Sequence, residues 1–104
     1  MPTIDQLRAL LAEEPDDVFL NFGLAMQYAQ AGLAEEAIRG FERVVQLDPR
    51  HAAAYFQWAR TLLALGRHVE AREVLSRGLQ AADATGDRHA RDKMNDLLQA
   101  IPPA

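Results

Sequence analysis

The strongest constraint on how this chain can fold is a spacing of 34 residues that recurs along it. Gly32 is followed by Gly66, Ala37 by Ala71, and Pro15 by Pro49. The stretch from Val18 to Arg50 contains one full period: an apolar-rich run, a break at Gly32, a second apolar-periodic run and a stop at Asp48-Pro49. Two amphipathic helices joined by a short turn produce that pattern, because helix-to-helix connections in compact bundles are brief. A hairpin of this kind cannot bury its apolar surface alone. Repeated at a fixed period, it can stack on copies of itself.

The punctuation along the rest of the chain agrees. Thr3 with Gln6 three residues later forms a capping-box pattern, and Ile4, Leu7, Leu10 and Leu11 make one apolar stripe on the helix that follows. Shifted by the period, those four positions fall on Ile38, Phe41, Val44 and Val45, so the chain opens with the second half of a unit. Glu13-Glu14-Pro15 ends that helix, since a residue before proline is pushed out of the helical region. Asp16 or Asp17 caps the next one, where a carboxylate accepts a backbone N–H and meets the positive end of the helix dipole. All five prolines fall outside helix interiors. Gly23, Gly40 and Gly78 fall inside them, at about 1 kcal/mol each relative to alanine. The residues themselves offer no account of Gly23 or Gly40. After Thr85-Gly86, Asp87 caps a last helix with Ala90, Met94, Leu97, Leu98 and Ile101 on one side and charged residues on the other. Such one-sidedness suits the end of a stack.

With these positions identified, the chain resembles the tetratricopeptide repeat family, in the form of a short bacterial-type member. The first unit matches through Leu24, Ala25, Tyr28, Ala37, Phe41 and Pro49, and departs at Asn21, where the family places a Trp or another large residue. The second matches through Tyr55, Trp58, Ala59, Leu62, Ala71, Leu75 and Gly78, and departs at Asp83, which replaces the closing proline. Its second helix is therefore expected to run on to about Ala84. The resemblance implies an all-α fold in which antiparallel helical hairpins stack as a short right-handed superhelix. Five helices are expected in a single domain over 1–104: a half-unit at 1–15, units at 18–51 and 52–85, and a capping helix at 87–101.

Composition removes several kinds of function. There are no cysteines, which excludes disulfides, thiolate metal sites and cysteine nucleophiles. Net charge is −4 and the basic residues Arg39, Arg43, Arg60, Arg67, Arg72 and Arg77 lie scattered among acids and apolar residues, which argues against nucleic-acid binding. The start has no basic leader, and no apolar run approaches the roughly 18 residues of a membrane span, so a cytoplasmic protein without membrane contact is expected. Ser76, the only serine, has no histidine at helical contact spacing. His51, His68 and His89 lie 17 and 21 residues apart, which offers no helical metal pair. Paired acids at Asp16-Asp17 and Glu35-Glu36 read as first-turn or capping residues. An enzyme, a metal site and a cofactor are not expected.

What remains is surface. Leu24, Ala25 and Tyr28 form the stripe that packs the hairpin, and Phe19, Phe22 and Met26 form a separate one. Phe56 follows Phe22 by one period, with Gln57, Arg60 and Leu63 beside it. In the family, this face of each first helix lines a concave ligand groove. The Lys and Asn clamp with which some members read acidic chaperone tails does not carry over, because the single lysine, Lys93, lies on the last helix. The resemblance thus implies a scaffold that binds a peptide or helix of a partner protein in an apolar groove of Phe19, Phe22, Met26, Phe56, Gln57, Arg60 and Leu63. The alternative is self-association as a homodimer through the same groove, and a third reading leaves those side chains in the core.

Overall fold

A computed structural model describes residues 2–103, so Met1 and Ala104, the ends of the expected domain, lie outside the described residues. Among the described residues there are six helices: α1 (Ile4–Glu13), α2 (Val18–Gln30), α3 (Ala34–Leu47), α4 (Ala52–Ala64), α5 (His68–Thr85) and α6 (Arg88–Ala100). The expected count of five is therefore too low by one. Each of the two hairpins contributes two helices, and α1 and α6 flank them.

The helix ends show why the chain breaks where it does. Thr3 and Gln6 form the full capping box at α1, with both reciprocal bonds present. Asp17, rather than Asp16, caps α2 by accepting from the Leu20 N–H at 2.8 Å, while Asp16 pairs with Arg43. Asn21, the first departure from the repeat pattern, donates through Nδ2 to the carbonyls of Pro15 and Asp17 and so fastens the α1–α2 turn. Both hairpin turns close in one way. The Leu33 N–H donates to the Tyr28 carbonyl and the Arg67 N–H to that of Leu62, each at 2.9 Å, across a glycine with φ of 78° or 73°. Only glycine adopts that left-handed conformation without strain, which makes Gly32 and Gly66 the fixed points of the period.

Packing within each hairpin depends on small side chains. Ala25 and Ala37 in the first, and Ala59 and Ala71 in the second, have no exposed surface. Gly40 belongs to the same crossing: a Cβ there would stand 2.7 Å from the Ala25 Cβ and 3.2 Å from its Cα. Phe41, Val44, Leu62, Leu75 and Met94 fill the interior around these contacts, and all of these side chains belong to one core cluster. At Gly78 an added Cβ would meet the Met94 Sδ at 2.5 Å and the Tyr55 Cβ at 2.7 Å, which lets α6 settle against α5 and α4.

The layer arrangement sets the shape. Each first helix touches the next, α2 to α4 and α4 to α6, while α1, α3 and α5 stay apart from one another. A stack held closer on one side than on the other curves toward the closer side. Arg67 adds a tie between hairpins: its guanidinium reaches Glu70 at 2.7 Å and Glu35, on α3, at 3.1 Å. The hydrogen bond from Arg67 holds the Glu70 carboxyl below its ordinary range and raises the guanidinium in turn. Both groups lie in solvent, so this pair orients more than it stabilises.

Candidate functional site

The hollow side is built from α2, α4 and α6. Between α2 and α4 lies a cavity of about 560 Å³ bounded by Met26, Ala29 and Gln30 on one wall and Gln57, Arg60 and Thr61 on the other. A smaller one of about 160 Å³ lies between α4 and α6, where Phe56 and Gln57 face His89, Ala90 and Lys93. Gln57 borders both, which makes them two parts of one depression.

Its local structure follows from helix spacing. Gln57, Arg60, Thr61 and Ala64 recur at three- and four-residue intervals and so share one stripe of α4. Phe56 stands at the edge of that stripe between two cations. The Lys93 Nζ is 4.4 Å from its ring centroid and the Arg60 Cζ is 5.8 Å away. Cations over an aromatic face are attracted by the ring quadrupole. Thr61 donates its hydroxyl to the Gln57 carbonyl at 2.8 Å, which satisfies that hydroxyl within the helix. The depression thus has an apolar floor of Met26, Ala29 and Phe56 and a charged edge on which Arg60 and Lys93 outnumber Asp87, whose carboxylate is engaged in capping α6.

The seven groove residues expected from sequence separate into groups. Met26, Gln57 and Arg60 share the larger cavity, while Phe56 and Gln57 share the smaller. Phe22 packs against the core, with its ring 6.0 Å from Phe41 and 4.8 Å from His51. Leu63 also packs on the core and borders neither cavity. Phe19 stands 83% exposed and borders neither. Thr61, on α4, and His89 and Lys93, on α6, lie outside the expected set, the latter two because α6 reads as a cap and its charges as solvated. The signal that could have found Lys93 is its place relative to the helix cap: it follows Asp87, the cap of α6, by the same number of residues as Gln57 follows His51, the cap of α4.

His51 has a structural task. Its Nδ1 accepts the Ala54 N–H at 3.1 Å and caps α4 while the ring packs against Phe22 at a tilt of 38°. Ser76 is exposed on α5. Among the described residues no group of three or more His, Cys, Asp or Glu side chains comes together as a metal site would require, and no helix is long and apolar enough to cross a membrane.

Comparison with known proteins agrees with this architecture. Residues 28–92 match the family model described as tetratricopeptide repeat. The TPR repeat-containing protein PA0015 of Pseudomonas aeruginosa is 33% identical over 101 residues, covering 97% of this chain and 96% of its own. Among solved structures, protein BPP2914 of Bordetella parapertussis superposes with a TM-score of 0.84 at 26% identity, over 97% of this chain and 88% of that one. The type III secretion translocator chaperone SycD of Yersinia enterocolitica superposes with a TM-score of 0.87 at 20% identity, over 94% of this chain and 68% of its own, a likeness of fold. With the period, the paired helices and the family match in accord, the chain belongs to the tetratricopeptide repeat family.

Proposed function

We propose that this protein is a non-enzymatic scaffold that binds a segment of a partner protein along the side lined by α2, α4 and α6. The observation that carries the reading is the pairing of Phe56 with Arg60 and Lys93 beside the apolar wall of Met26 and Ala29. Aromatic, Met and Arg side chains are enriched at interfaces, and a few such anchors dominate affinity. Fold neighbours include a chaperone and a TPR domain of Sgt2, and a role in protein contact is consistent with both. The cationic edge narrows the partner. An apolar segment carrying an acidic residue would seat its side chain on Met26 and Phe56 and its carboxylate between Arg60 and Lys93. That pairing would outweigh the overall charge of −4, because it acts within contact distance.

Selection of displayed peptides on the full chain tests this. Enriched sequences are expected to combine large apolar residues with Asp or Glu. The double change Arg60→Glu and Lys93→Glu, at two exposed positions, is expected to weaken the selected peptides at least about tenfold, the equivalent of one lost close ion pair. Peptides that bind the charge-reversed protein equally well would rule the reading out.

A further inference from the structure

We infer that the outer face of α1 is a second interaction surface, and that its occupant is α1 of a second copy of this chain, packed antiparallel across a two-fold axis. The inference rests on the two ends of the stack being unlike each other. Leu10 lies one period before Val44, and Val44 has no exposed surface on α3, a helix that packs against both α2 and α4, whereas α1 packs against α2 alone. No helix among the described residues covers α1 in the same way, and Leu10 is 47% exposed. Beside it Pro2, Gln6, Ala9 and Glu13 line an open hollow along the helix. At the other end α6 turns Arg88, Arg91, Asp92 and Asp96 outward, all exposed. An end sealed by charge gives α1 no apolar surface to meet head to tail. A head-to-head pair places α1 against its own kind.

The stripe is also its own complement. Two α1 helices antiparallel about a point between Ala9 and Leu10 set Ala9 opposite Leu10 of the second copy, and the small alanine lets the axes approach. The same axis sets Gln6 opposite Glu13 of the second copy, at both ends of the contact. The Gln6 Oε1 already accepts the Thr3 N–H at 2.9 Å, which leaves its amide N–H groups as donors. Neither they nor the Glu13 carboxylate has a partner among the described residues. Two amide-to-carboxylate hydrogen bonds would then flank an apolar centre, the order of groups expected of a small interface.

Sedimentation equilibrium of the full chain over a range of concentrations tests the assignment. The wild type is expected to show a reversible monomer–dimer equilibrium, and Leu10→Glu to be monomeric with unchanged helix content by circular dichroism. A second variant covers the event that this one fails to fold. Gln6→Glu keeps the capping box, which glutamate serves equally well, but faces one carboxylate with another and is expected to raise the dimer Kd at least about tenfold. Adding Glu13→Gln to it is expected to restore the wild-type value. A wild type that stays monomeric throughout, a series of higher polymers, a dimer indifferent to Leu10→Glu and Gln6→Glu, or a double variant as weak as Gln6→Glu alone would each overturn the inference.

Discussion

Three glycines in helix interiors look alike in the sequence and differ in what surrounds them. At Gly40 an added Cβ would collide with the Ala25 Cβ and the backbone behind it, neither of which can turn aside. At Gly23 the nearest atom is a Leu7 methyl at 3.8 Å, an ordinary contact. Gly23→Ala should therefore stabilise the protein by about 0.5–1 kcal/mol through helix propensity alone. Gly40→Ala should destabilise it by about 1–3 kcal/mol, since the overpacking at the α2–α3 crossing exceeds that gain. Urea denaturation reads both as shifts of midpoint at constant slope. Shifts in one direction for the two variants would contradict the packing described. The difference is not legible in sequence, because it depends on which residue of another helix lies opposite. Ala37 and Ala71 were legible, since the period pairs them and small residues mark close crossings.

At the scale of the element, helix limits were well marked and roles less so. Thr3, Asp17, Gly32, Gly66 and Asp87 each act where the sequence places them. The cap of α4 was harder to see: His51 is not among the usual capping residues, and its part depends on a ring nitrogen that accepts a backbone N–H. The last helix illustrates a further limit. Its one-sided pattern marks it as a cap, and Met94 is indeed fully buried against Gly78. The same pattern hides Lys93, which serves the hollow side rather than the end of the stack. Removal of residues 87–104 should strip Met94 and Ile101 from the core and bare the surface of α5 and α4 beneath them. Light scattering is expected to show association of the truncated chain, with a lower melting temperature. A truncated chain as monodisperse and as stable as the intact protein would show that α6 is dispensable to the stack.

Across the whole molecule, the fold was legible because one period governs it, and curvature follows from helices that touch on one side only. The site was legible in part. Helical spacing identified the stripe of α2 and α4, and so named Met26, Phe56, Gln57 and Arg60, which border the two cavities. It could not tell Phe22, which the α3–α4 connection covers through His51, from Phe19, which stands in solvent. Both stand on one stripe, and burial depends on what the next unit lays over it. The central claim is that a partner lies along the side of α2, α4 and α6. Amide and methyl chemical-shift mapping, with a peptide selected on the full chain, measures this most directly. The account predicts the largest shifts at Met26, Phe56, Gln57, Thr61 and Lys93, with little change along α3 and α5. Shifts concentrated on the outward faces of α3 and α5, with Met26 and Phe56 unmoved, would contradict it.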